Sequence, residues 1–266
     1  MAKDIAIITL HGMGEYKPDY YEDLQKILRK KLGDSWDKVA FEPVQYQPIL
    51  QNNQNSIWQR MNQFPLDGSK IRRFLLFGLS DAGSLEYSAR QNEADQYIKV
   101  QKEIIRALDQ GLIQLENHEK PIIIVAQSLG CQVISNYIWD SKNNLGVFKD
   151  QEPNGTEQEK KFRRLKSCIH LFTTGCNIPL FLAGLKPIQA IEKPSDGFTW
   201  DNFYDRDDVL GWPLSPLSES YEALVNDHEI NSGSFFSHWN PLSHNKYWTD
   251  KDVYRPLLAR INSIIS

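Results

Sequence analysis

The sequence predicts an α/β fold, a central and mostly parallel sheet flanked by helices, and three observations predict it. Two runs, Ile5–Leu10 and Ile122–Val125, are apolar and rich in β-branched residues with almost no polar alternation, as strands buried on both faces of a sheet read. Each runs directly into a turn with glycine, His11-Gly12-Met13-Gly14 and Gln127-Ser128-Leu129-Gly130. Strand-like and helix-like segments then alternate along the chain, the pattern of a parallel, doubly wound sheet. At 266 residues the chain suits a single domain, 1–266.

Taken in order, Asp19–Leu32 follows the first strand as an amphipathic helix, with Tyr20, Leu24, Ile27, Leu28 and Leu32 near one face and Gly33 as its stop. Val39–Ile49 reads as a strand broken by Pro43 and Pro48. The polar run Gln51–Asn55 reads as an exposed loop, and Ile57, Trp58, Met61 and Phe64 recur at helical spacing. Phe74–Leu79 is a compact apolar patch. Residues of about 50–92 therefore have two readings, a core helix or a helical cap inserted over a cleft. Tyr97–Leu115 is the clearest helix, with Val100, Ile104, Ala107, Leu108 and Ile113 on its apolar face. Asn143–Lys166 is polar and reads as surface loop. Cys168–Thr174 and Phe198–Tyr204 are further strands, and Asp252–Ile265 is a final helix.

Ala126-Gln127-Ser128-Leu129-Gly130 lies between a buried strand and a helix over Cys131–Asp140. A serine flanked at two residues' distance by small side chains is the form of a nucleophile elbow. The turn is sharp, and a large residue at Ala126 or Gly130 would collide with neighbouring backbone. The competing reading is a serine N-cap on an ordinary helix. The HGMG turn exposes backbone N–H groups after the first strand, as an oxyanion-binding loop does. It lacks a G-x-G-x-x-G continuation or a lysine–serine pair, which disfavours a nucleotide loop. His11 reads as structural.

Composition narrows the classes. Net charge is −4 and the pI about 5.9, which gives no basic surface for nucleic acid. No apolar run reaches transmembrane length. The odd set of three cysteines, Cys131, Cys168 and Cys176, lacks C-x-x-C spacing and suggests free thiols in a reducing, cytoplasmic setting, where the sequon at Asn154 carries no sugar. With no H-E-x-x-H and no close histidine pair, a metal centre is not expected.

A nucleophilic serine needs a base, and the base needs an orienting carboxylate. The acids that follow the strand ending at Tyr204 are Asp205, Asp207 and Asp208, and the later histidines are His228, His238 and His244. On these motifs the chain resembles the α/β-hydrolase superfamily, its lipase- and esterase-like serine hydrolases in particular. HGMG is similar to that family's oxyanion motif and AQSLG to its elbow. Gly175–Leu180 resembles the turn after the next strand, Asp208–Leu214 the acid loop, and Ser243–Trp248 the histidine loop.

The resemblance implies an α/β-hydrolase fold and a Ser128–Asp208–His244 triad. The N–H groups of Met13 and Leu129 would form the oxyanion hole, supported by His11, Gly12, Gly14, Gln127 and Gly130. It implies a small-molecule ester or lipid-like substrate, with Met13, Leu129, Leu180, Phe181 and the Phe74–Leu79 patch around the cleft. It implies no metal and no cofactor. Acyl transfer by the same triad, or a non-catalytic scaffold, are the competing functions.

Overall fold

The computed structural model of the protein describes residues 2–12, 17–64, 67–69, 72–73, 76, 96–231 and 247–266. Six strands, β1 (Ile5–Leu10), β2 (Val39–Pro43), β3 (Ile122–Gln127), β4 (Cys168–Thr174), β5 (Thr199–Asp205) and β6 (Val225–Ile230), form one sheet in the order β2-β1-β3-β4-β5-β6. Every adjacent pair is parallel. The principal helices are α1 (Glu22–Leu32), α2 (Gln47–Met61), α3 (Gln96–Leu115), α4 (Leu129–Asn143), α5 (Glu157–Arg163), α6 (Ile178–Leu182) and α7 (Lys251–Ile265). This is the expected α/β architecture, a parallel sheet with helices packed on both faces.

Strand alternation builds a core on each side of the sheet. Ala6, Ile8 and Leu10 of β1 face the layer of α3 and α4, with Leu108, Leu129 and Ile134, while Ile5 and Ile7 face α1 and α7, with Leu28 and Leu257. β1 and β3 are fully buried along their whole length, which is why neither shows polar alternation. The chain runs outward from β1 to β2 and then returns to place β3 on the other side of β1. The order reverses there, and the carboxyl ends of two strands flanking such a reversal open a crevice. Leu10 pairs with Ala126 at that end, so the two glycine turns meet at the switch point.

Several expectations are corrected. β2 stops at Pro43, and the Gln51–Asn55 run lies inside α2 rather than in a loop. Pro48 stands in the first turn of α2, where proline starts a helix because the missing N–H would be unpaired anyway. α5 interrupts the supposed loop 143–166, with a capping box between Thr156 and Glu159. Ile113 is 68% exposed; the stripe Val100, Ile104, Leu108 continues through Gly111, whose position for a Cβ lies 3.5 Å from Ala6 Cβ. β6 went unpredicted because its sequence VNDHEI is polar, and most of this edge strand is not buried. The proposed cap region of about 50–92 falls mostly outside the described residues, as does the patch Phe74–Leu79 apart from Leu76. No described helix is long and apolar enough to cross a membrane.

Candidate active site

β3 delivers Ser128 to the rim of the crevice. Ser128 caps α4 with φ 52° and ψ −122°, a conformation that L-residues rarely adopt and that costs on the order of 1–3 kcal/mol. Its N–H donates to the Thr174 carbonyl at 2.9 Å, which ties the turn to the end of β4. The small residues around it have a steric reason. A Cβ at Gly130 would lie 2.7 Å from the carbonyl oxygens of both Leu10 and His11, so any larger residue would drive α4 away from β1. A Cβ at Gly12 would lie 2.5 Å from Ser128 Cβ and 3.1 Å from its Oγ.

The Ser128 side chain is fully buried, and its hydroxyl has no hydrogen-bond partner among the described residues. An N-cap serine ordinarily uses its oxygen on the helix N–H groups; here it makes no side-chain cap bond. Leu129 is the first residue of α4, so its N–H has no carbonyl to meet within the helix. Its side chain is fully buried and does not line an open cleft.

The HG turn is held from α2. Tyr46 Oη donates to the His11 carbonyl at 2.5 Å and Gln47 Nε2 to the Gly12 carbonyl at 2.6 Å. His11 is buried, its ring stacked on Tyr46 at 5.3 Å and set against Tyr20 at 4.2 Å. Burial pushes its pKa down to about 3 against the opposing hydrogen bond at Gly12, so the imidazole is neutral at pH 7. The ring is held by stacking, and its Nε2 has no partner among the described residues. Met13 and Gly14 lie outside the described residues.

The three candidate acids separate clearly. Asp207 is exposed. Asp205 is buried at the end of β5, and its Oδ1 accepts from its neighbour's N–H, that of Asp207, at 2.9 Å. Asp208 is also buried; its Oδ1 accepts from Leu210 N–H at 3.0 Å and its Oδ2 from Tyr247 Oη at 2.8 Å. The same Tyr247 hydroxyl accepts the Asp205 N–H at 3.1 Å. Burial first, and then the Asp208 charge, hold the tyrosine hydroxyl far above its ordinary pKa, so it stays a donor. The loop after β5 is pinned to the end of β4 as well: the Trp212 backbone N–H donates to the Cys176 carbonyl at 3.0 Å, and a Cβ at Gly211 would stand 2.8 Å from Asp208 Oδ2 and 3.2 Å from Gly175 Cα.

Of the later histidines, His238 and His244 lie outside the described residues. His228 sits in the body of the sheet on β6, where Asp201 Oδ1 meets its Nε2 at 2.8 Å while Asp201 Oδ2 meets His170 Nε2 at 2.6 Å. All three cysteines are free and buried; burial raises the thiol of Cys131 well above its ordinary pKa and that of Cys168 to about 12. No cluster of metal-ligating side chains occurs among the described residues. Sequence reasoning missed Tyr46, Gln47 and Tyr247 as supports of the site. Only the Tyr247-Trp248 pair in the histidine-loop motif hinted at one of them.

No family model matches the chain, and no curated protein matches its sequence. Solved structures similar to it include a protein described as a hydrolase of the alpha/beta superfamily from Xanthomonas campestris pv. campestris, at 12% identity and a TM-score of 0.43, covering 98% of this chain and 99% of that one. Another is dienelactone hydrolase from Anabaena variabilis, at 11% identity and a TM-score of 0.41, covering 99% of this chain and 85% of that one. At that distance the likeness carries neither residue roles nor activity.

Proposed function

We propose that the protein is a serine hydrolase that cleaves carboxylic esters through an acyl-enzyme on Ser128. The observation that carries the reading is Ser128 itself: a non-glycine residue held at positive φ, against Gly12, with a buried hydroxyl that has no hydrogen-bond partner among the described residues. Folds seldom keep a strained residue whose side chain also forgoes a hydrogen bond unless chemistry requires it.

In this reading Ser128 Oγ attacks the ester carbonyl and His244 takes its proton. Asp208 fixes the tautomer of His244 and stabilises its charged form. The N–H groups of Met13 and Leu129 receive the developing oxyanion, each contributing on the order of 3 kcal/mol to barrier lowering. His244 then protonates the departing alcohol, and water releases the acyl group by the same steps. Tyr247 supports the assignment of Asp208, because it holds the carboxylate from three residues beyond His244, a span of at most about 11 Å of chain.

An apolar acyl group fits the rim. Leu180, Val209 and Trp212, on the segments that follow β4 and β5, are exposed large apolar residues. The test is a series of p-nitrophenyl esters of increasing acyl length, with mass spectrometry of the quenched enzyme. The reading predicts kcat/KM rising from acetate to octanoate and an acyl adduct on the peptide containing Ser128. No turnover and no adduct with any member would contradict it.

A further inference from the structure

A second feature of α4 has no place in ester cleavage. The outer face of this helix carries Gln132, Ser135, Asn136 and Trp139, one to three turns beyond Ser128. Together with Leu182, Pro187, Ile188 and Ile191 they line a cavity of about 490 Å³, a size that suits a small organic ligand. Ser128 is not among the residues lining it. The cavity begins one turn, about 6 Å of helix rise, beyond the nucleophile.

Gln132 and Asn136 are each 7% exposed. Their side chains bond to each other, Gln132 Nε2 donating to Asn136 Oδ1 at 2.9 Å. That leaves Gln132 Oε1 and Asn136 Nδ2 buried with no partner among the described residues. Turning both amides over exchanges the labels and still leaves one acceptor and one donor, so the pattern does not depend on the amide assignment. A buried, unmatched donor and acceptor side by side in the wall of a chamber that also carries Trp139, Leu182, Ile188 and Ile191 are complementary to a group that offers an acceptor and a donor along one edge. An N–H and a C=O in parallel, as in a lactam or primary amide, make such an edge.

We propose that this cavity is a binding site, separate from the ester site, for a molecule with an apolar body and a lactam-like or primary-amide edge. The ligand N–H donates to one side-chain amide oxygen and its C=O accepts from the neighbouring amide N–H. A small rotation about each terminal side-chain torsion, which is soft for Asn and Gln, presents both atoms. The aliphatic body packs on Trp139, Leu182 and Ile188.

The test is calorimetric titration of the intact protein with ε-caprolactam, whose seven-membered ring fixes the amide cis, and with cycloheptanone, which keeps the carbonyl and lacks the N–H. The lactam should bind about tenfold more tightly, equivalent to roughly 1.4 kcal/mol. That preference should vanish in Gln132→Leu/Asn136→Leu, whereas Ser128→Ala should leave it intact and so separate this site from the ester site. Should the double variant not fold, Asn136→Asp replaces the donor by an acceptor and is expected to erase the preference by itself. Equal binding of the two probes, a preference that survives Asn136→Asp, or lactam binding lost in Ser128→Ala would each overturn the proposal.

Discussion

Tyr247 and Asp208, far apart in sequence, meet through a 2.8 Å hydrogen bond from the tyrosine hydroxyl to Oδ2, and both side chains are buried. The contact ties the segment that follows His244 to the loop that follows β5. Trp248 extends the tie: its ring lies 5.8 Å from Tyr20, and Tyr20 lies 4.2 Å from His11 in the HG turn. The turns at the carboxyl ends of β1 and β5 are thus braced by one short stretch, Tyr247-Trp248.

Tyr247→Phe removes the hydroxyl and keeps the ring. It is expected to cost about 1.5–3 kcal/mol of stability, the worth of a hydrogen bond to a charged group, and to lower kcat about tenfold with little change in KM. Thermal melting and steady-state kinetics on one ester check both. A fall in stability with unchanged kcat would make the contact structural only.

Ser128→Gly should separate stability from activity. Glycine accepts φ 52° without strain, and the change removes a buried hydroxyl with no described partner. Activity should disappear while stability rises by about 1 kcal/mol or more. Denaturant unfolding of the two proteins measures the difference.

Gly130→Ala should act on the fold. The new methyl would meet two backbone carbonyls at 2.7 Å, and backbone yields less readily than a side-chain tip. A loss of about 1–3 kcal/mol is expected from overpacking, with activity lost alongside, as read by chemical denaturation.

Acid should unfold the protein through two distinct groups. His11 is held neutral in the fold with its pKa lowered from 6.5 to about 3, so its contribution is complete above pH 6.5 and is lost as pH falls toward 3. Burial pushes the Asp201 carboxyl up, but hydrogen bonds from His170 and His228 outweigh it and bring it from 3.8 to about 2. Its stabilisation is complete above about 3.8 and is lost as pH falls through 2. In urea titrations at stepped pH, His11→Phe should flatten the upper range and Asp201→Asn the lower one.

The segments most easily read from sequence were those whose environment is uniform. Ile5–Leu10 and Ile122–Gln127 are buried on every side, so composition alone marks them as strands. The sharp turn at Ser128 was legible because three constraints (a strand before it, a helix after it and room for close approach) all demand small residues near it. β6 was not, since an edge strand with exposed Asn226, His228 and Glu229 presents no apolar pattern. α2 was obscured by its Gln/Asn-rich run, and its one clear sign, Pro48 in the first turn, also reads as a strand breaker. The Thr156-to-Glu159 spacing did carry a capping-box signal for α5. Spacing in the sequence does not separate Asp205, Asp207 and Asp208, nor does it encode the long-range hydrogen bond from Tyr247 to Asp208.

Labelling with a fluorophosphonate probe tests the central claim most directly, because it reports an activated serine without any assumption about substrate. The account predicts that the wild-type protein is labelled at Ser128, that Ser128→Ala is not, that His244→Ala labels at least a hundredfold more slowly, and that His238→Ala labels as the wild type does. An unlabelled wild-type protein, or labelling that persists in Ser128→Ala, would contradict it.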